Sequence, residues 1–171
     1  MNRFPPLYDE DAVRKKCSKI KPTSEQKRLA KKWLGRLKRG ELKDEVINYD
    51  DFRDIILGGL LGYPVAKLGF EKKHVEFSYT DSRNVTHVCF ECKGTKTDLW
   101  ERQNYGKLEQ ELPVEQTWNN MGRFPALYGI CTNYREFVLL DSKHGTTKCH
   151  TFDFNEIDES DDKLKELIGL F

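Results

Sequence analysis

The chain has 171 residues and a mass of 20.1 kDa, enough for one domain with a real core. At 33% charged, 37% hydrophobic and 12% aromatic it is polar but foldable, and no apolar run approaches the roughly 20 residues of a membrane span. A net charge of +1 argues at first sight against a strongly basic nucleic-acid binder, and five irregularly spaced cysteines favour a reducing, cytoplasmic setting over a disulfide framework.

The total conceals a segregation. Residues 14–43 carry 13 basic and 2 acidic side chains, whereas residues 153–171 carry 2 basic and 7 acidic. Within the basic stretch, Thr23-Ser24-Glu25-Gln26 reads as a capping box. Leu29, Ala30, Trp33, Leu34 and Leu37 then form one apolar stripe at helical spacing, and Gly40 follows as a left-handed C-cap. A second helix is expected from about Tyr49 to Leu61, with Phe52, Ile55, Ile56 and Leu60 facing the core. Gly58-Gly59 weakens it and Gly62-Tyr63-Pro64 ends it.

From Val65 the pattern turns to short β-like runs. His74–Tyr79 and Val85–Lys93 flank Thr80-Asp81-Ser82-Arg83-Asn84 as a hairpin. Residues 95–112 are charged and poor in apolar side chains, and read as a loop with at most one helical turn. Pro113 suits the first turn of a short helix through Met121. Ala126–Thr132, Glu136–Asp141 and Thr146–Phe154 read as strands, and Lys163–Leu170 as a closing helix. The order of elements suggests an α/β (α+β) domain, a mixed sheet with helices packed against it. The expected division is a basic helical segment over residues 1–44 and a core over 45–171 that ends in an acidic helix, together one compact domain.

Chemistry concentrates in the hairpin. Strand residues two apart share a face, so Glu91 and Lys93 project together, opposite Val88, Phe90 and Cys92. With a four-residue loop at 81–84, Thr80 faces Val85 and Glu76 faces Cys89. Glu76 then lies on the face of Glu91, one diagonal step away at roughly 7–8 Å. Two carboxylates and a lysine there suit metal-assisted phosphodiester hydrolysis, with oxygen ligands that favour Mg²⁺ or Mn²⁺. The bland reading is an alternating charged pair on a solvated strand.

Further pieces follow in order: Gly62-Tyr63, Phe90-Glu91-Cys92-Lys93-Gly94-Thr95-Lys96, Pro113-Val114-Glu115-Gln116-Thr117-Trp118, and Tyr128-Gly129-Ile130-Cys131-Thr132-Asn133-Tyr134. Over about residues 45–142 this set resembles the PD-(D/E)XK nuclease core, in particular the N-terminal nuclease domain of Type I, Type ISP and Type IIG restriction-modification enzymes. The resemblance implies a restriction-endonuclease-like mixed sheet flanked by helices and Mg²⁺-dependent cleavage of double-stranded DNA. It also implies methyltransferase, helicase or specificity modules in the same or another chain. Carried over, Glu91 and Lys93 take the E-x-K positions, and Glu76 takes the place usually held by Asp, with Asp81 a rival read as a turn residue. The backbone carbonyl of Cys92 becomes a further metal ligand. Gln116 matches a helix Gln that contacts DNA or water in relatives; the Tyr four residues on is replaced by Asn120. Asp51 and Asp54 are candidates for an accessory acid on the early helix.

Lys31, Lys32 and Arg36 on the basic helix, with Lys72, Lys73, Lys96, Arg102 and Lys107 near the proposed metal site, are candidate phosphate contacts. Cys89 and Cys92 form C-x-x-C, but residues three apart on a strand point to opposite faces, which disfavours zinc. No phosphate-cradling glycine loop occurs. Two other readings stand beside the nuclease: an inactive nuclease-fold DNA-binding module, and a protein-interaction domain docking through residues 14–43.

Overall fold

Successive strand residues point to opposite faces of a sheet, and here both faces carry an apolar cluster. The computed structural model describes residues 5–71, 75–105, 109–158 and 161–171. Its main sheet has six strands: β1 (Leu68–Glu71), β2 (Val75–Thr80), β3 (Thr86–Cys92), β6 (Tyr128–Thr132), β7 (Glu136–Asp141) and β8 (His150–Asp153). They lie in the order β1-β2-β3-β6-β7-β8, antiparallel throughout except for the β3–β6 pair. A parallel pair needs a crossover, and α4 (Pro113–Arg123) supplies it, with Pro113 in its first turn as expected.

Strand alternation splits the core in two. Phe77, Val88, Phe90, Cys92, Ile130, Phe137, Leu139 and Phe152 enter one cluster, while Cys89, Cys131, Val138 and Leu140 enter the other, beneath Val114 and Met121 of α4. Cys89 and Cys92 therefore lie on opposite faces. The first cluster is covered by α2 (Ser24–Lys38), whose capping box pairs Thr23 with Gln26 and whose buried stripe is Leu29, Ala30, Trp33 and Leu34. Gly40 adopts φ +67°, the left-handed C-cap position. α5 (Asp161–Leu170) closes the same layer through Leu164 and Leu167. No helix among the described residues is long and apolar enough to cross a membrane.

Several expectations need correction. The helix after residue 48 opens as α3 (Tyr49–Asp51) and continues through Phe52–Leu60 with wider winding, its bonds spanning five residues, as in Leu61 N–H to Ile56 O at 2.8 Å. α1 (Glu10–Cys17) was hidden in the charged N-terminal stretch, because within the helix only Val13 and Cys17 are buried. The charged stretch 95–112 contains a small two-stranded sheet, β4 (Gln103–Tyr105) and β5 (Glu109–Glu111). The β2–β3 register also differs. Ser78, not Glu76, faces Cys89, and Thr80 faces Thr86, not Val85. An irregularity between Tyr79 and Thr80 leaves His87 as an extra residue on β3, so the ladder beyond it runs two residues away from the expected pairing. A two-residue shift preserves parity, and Glu76 keeps the face of Glu91.

Candidate active site

Phe77 pairs with Phe90, so one step further along the ladder Glu76 stands across from Glu91, on the face covered by α4. Opposite residues in an antiparallel pair bring their Cβ atoms to roughly 4.5–5.5 Å, closer than the expected diagonal. Glu76 Oε2 accepts the backbone N–H of Cys92 at 3.0 Å. Lys93 follows the strand, still bonded through its N–H to Thr132 O at 2.7 Å, and its Nζ lies 2.5 Å from Glu91 Oε1. Asn120 Nδ2, from α4, donates to Glu91 Oε2 at 3.1 Å. Glu91 is 1% exposed and Lys93 5%, so this is a buried ion pair and not an alternating pair on a solvated strand.

Burial raises the Glu91 carboxyl above the usual carboxylate range, and the charge of Glu76 adds to this against the opposing pull of Lys93. Glu76 is raised for the same first reason, with Lys93 and the Cys92 amide opposing. Burial alone would lower Lys93, but Glu91, Glu76 and Glu45 outweigh it and hold the ammonium charged. Glu76 and Glu91 thus share one lysine, and burial disfavours both of them carrying charge at once without a further cation.

Glu45 is the acid missed from sequence. The loop before the Val46–Asn48 turn is pressed onto the end of β3: Thr95 N–H bonds Leu42 O at 3.0 Å, and a Cβ at Gly94 would stand 2.1 Å from Lys43 O. Tyr134 Oη donates to Glu45 O at 2.6 Å, and Tyr49 Oη to a Glu45 carboxylate oxygen at 2.8 Å. Trp33 in turn donates its indole N–H to Tyr134 O at 2.9 Å, which ties the basic helix to the site. Glu45 lies in an irregular loop, where no periodicity could have pointed to it. Asn120 could have been found: it is one helical turn after Gln116, on the same face of α4.

The other expected site residues divide. Asp51 pairs with Arg36 at 2.7 Å and Asp54 with Arg53 at 2.7 Å, so both are exposed acids already engaged by arginines. Arg36 also bonds Asn48 and Glu41 and stacks over Trp33, so its guanidinium braces the fold instead of facing outward. Lys31, Lys32, Lys96 and Arg102 are exposed. Lys72, Lys73 and Lys107 lie outside the described residues. Asp81 is a turn residue as read, accepting from the Arg83 and Val85 amides. Gln116 carries a buried Oε1 with no hydrogen-bond partner among the described residues. Thr132 and Asn133 organise the β6–β7 turn: Thr132 Oγ1 accepts from Tyr134 N–H, and Asn133 Oδ1 from Glu136 N–H.

Among the described residues no three His, Cys, Asp or Glu side chains gather as a ready-made metal site. The available donors are two facing carboxylates and the Cys92 carbonyl. This all-oxygen, partial set matches a cation that keeps several of its own waters, as Mg²⁺ does, and not zinc. No protein-family model, curated protein or solved structure matches the chain.

Proposed function

We propose that this chain is a Mg²⁺- or Mn²⁺-dependent endonuclease domain acting on double-stranded DNA, with a restriction-endonuclease-like core of the PD-(D/E)XK type. The observation that carries the reading is Glu76 facing Glu91 across the β2–β3 ladder with Lys93 bonded to Glu91. Glu76, Glu91 and the Cys92 carbonyl would hold the cation. Once bound, it supplies charge neutralisation at the phosphate oxygens and acidifies water. Lys93 would orient or deprotonate the attacking water and offset charge developing on phosphate; before a cation binds, the surrounding carboxylates favour its charged form. Water adds to phosphorus and gives up one proton to Lys93 or to solvent, the bond to one bridging oxygen breaks, and the departing oxygen takes a proton from solvent. Lys31, Lys32, Lys96 and Arg102 would contact phosphates without reading sequence. Partner methyltransferase, helicase or specificity modules belong to the same reading.

The experiment is incubation of duplex DNA with the chain and Mg²⁺ or Mn²⁺. Cleavage that disappears in Glu91→Gln and Glu76→Gln supports the reading, and cleavage unchanged in both folded variants refutes it. One observation favours a second reading, a DNA-binding module without catalysis: Glu91 and Lys93 are almost fully buried. Salt-sensitive DNA binding with no cleavage under either metal would select it.

A further inference from the structure

Both oxygens of Glu91 are engaged, Oε1 by Lys93 and Oε2 by Asn120 at 3.1 Å. Asn120 is 2% exposed and shares the core-facing side of α4 with Val114, Thr117 and Met121. A buried amide costs free energy unless it is paired, so a side chain serving packing alone would be apolar here. The helix is also unusually close to the sheet. A Cβ at Gly129 would stand 2.6 Å from Met121 Sδ and 2.9 Å from Thr117 Cγ2. Gly129 lies on β6, the strand beside β3, and its lack of a side chain lets α4 descend until Asn120 reaches the Glu91 carboxylate. A neutral donor orients a carboxylate without cancelling its charge, as a cation ligand requires.

We propose that Asn120 is a positioning residue that holds Glu91 in one orientation for binding of the divalent cation, with Gly129 setting the depth of the helix that delivers it. This rests on the nuclease reading above. Groups that orient metal ligands typically affect affinity or activity 10–100-fold.

The test compares the full chain with Asn120→Ala and with Asn120→Leu, which keeps a side chain branched at the same atom but has no donor. Both should raise the Mg²⁺ concentration for half-maximal DNA cleavage by about tenfold or more, with DNA affinity in the absence of metal unchanged. A packing role alone would leave Asn120→Leu close to wild type, and that result overturns the proposal. Should the variants not fold, nuclear magnetic resonance of the wild-type chain decides. The Asn120 side-chain amide signals should shift during Mg²⁺ titration with the half-saturation seen in cleavage, and signals that stay fixed overturn the proposal. Cleavage by wild type with insensitive variants removes the role of Asn120 alone. Amide shifts without cleavage retain that role and remove the nuclease.

Discussion

Glu76 Oε2 accepts the backbone N–H of Cys92 at 3.0 Å, a bond from the side chain of one strand to the main chain of the next. It pins the Glu76 carboxylate at the end of β3, beside Glu91, where free rotation would otherwise let it turn to solvent. Charge, register and strand end are thus coupled at one point, and the consequences can be measured.

Lys93 is the cation that Glu76 and Glu91 share. Removing one partner of a buried pair leaves an uncompensated charge and typically costs about 3–5 kcal/mol. Lys93→Met should lower unfolding stability in urea by about 3 kcal/mol, and adding Glu91→Gln should recover part of the loss. Equal stability of Lys93→Met and wild type would mean that the pair seen here does not persist in solution.

Gly94 meets the backbone of the preceding loop, not a flexible side chain, since an added Cβ would stand 2.1 Å from Lys43 O. Gly94→Ala must push the loop off the end of β3, at about 1–3 kcal/mol. Thermal unfolding measures this, and an unchanged midpoint would contradict the close approach.

Glu166 gives a pH dependence remote from the proposed cation site. Its carboxyl is held below the ordinary value, first by the hydrogen bond with His150 and then by Lys163, against the opposing effect of burial. A depressed native value contributes stability that is present above the unfolded carboxylate value, about 4.3, and lost as pH falls through the native one. The stability advantage of wild type over Glu166→Gln should therefore be full near neutrality and vanish in acid. An advantage that grows on acidification would contradict the assignment.

Lys31 and Lys32 are exposed on α2, whereas Arg36 is tied to Asp51 and Asn48. If α2 lies along DNA, replacing both lysines by Ala should reduce the slope of log affinity against log salt by about 2 with little change in thermal stability. Arg36→Ala should instead lower stability. Binding assays across a salt series separate the two, and an unchanged slope removes α2 from the DNA contact.

Parity made the hairpin face legible. Period-two alternation placed Glu91 and Lys93 on one side, and Glu76 with them under any even shift of register, but the extra residue His87 sets that register and has no compositional mark. Capping chemistry made α2 and α4 legible, because Thr23, Gln26, Gly40 and Pro113 act through local geometry. β4 and β5 were not legible, since Gln103-Asn104-Tyr105 and Glu109-Gln110-Glu111 pair through backbone with little apolar alternation. Glu45 stayed hidden for a different reason. Its place depends on Tyr134, which is 89 residues distant, and on the Lys43–Gly94 approach, and neither is written in a local pattern. Asp51 and Asp54 were attractive as helix acids, but arginines close by neutralise both.

The most direct measurement is conversion of supercoiled plasmid to nicked or linear forms by wild type and Lys93→Ala, side by side over a Mg²⁺ series, below the unfolding midpoint of each. Cleavage by wild type that requires the metal and is absent in a folded Lys93→Ala variant is the expected result. Full cleavage by folded Lys93→Ala, or none by wild type with either Mg²⁺ or Mn²⁺, would contradict a nuclease built on Glu76, Glu91 and Lys93.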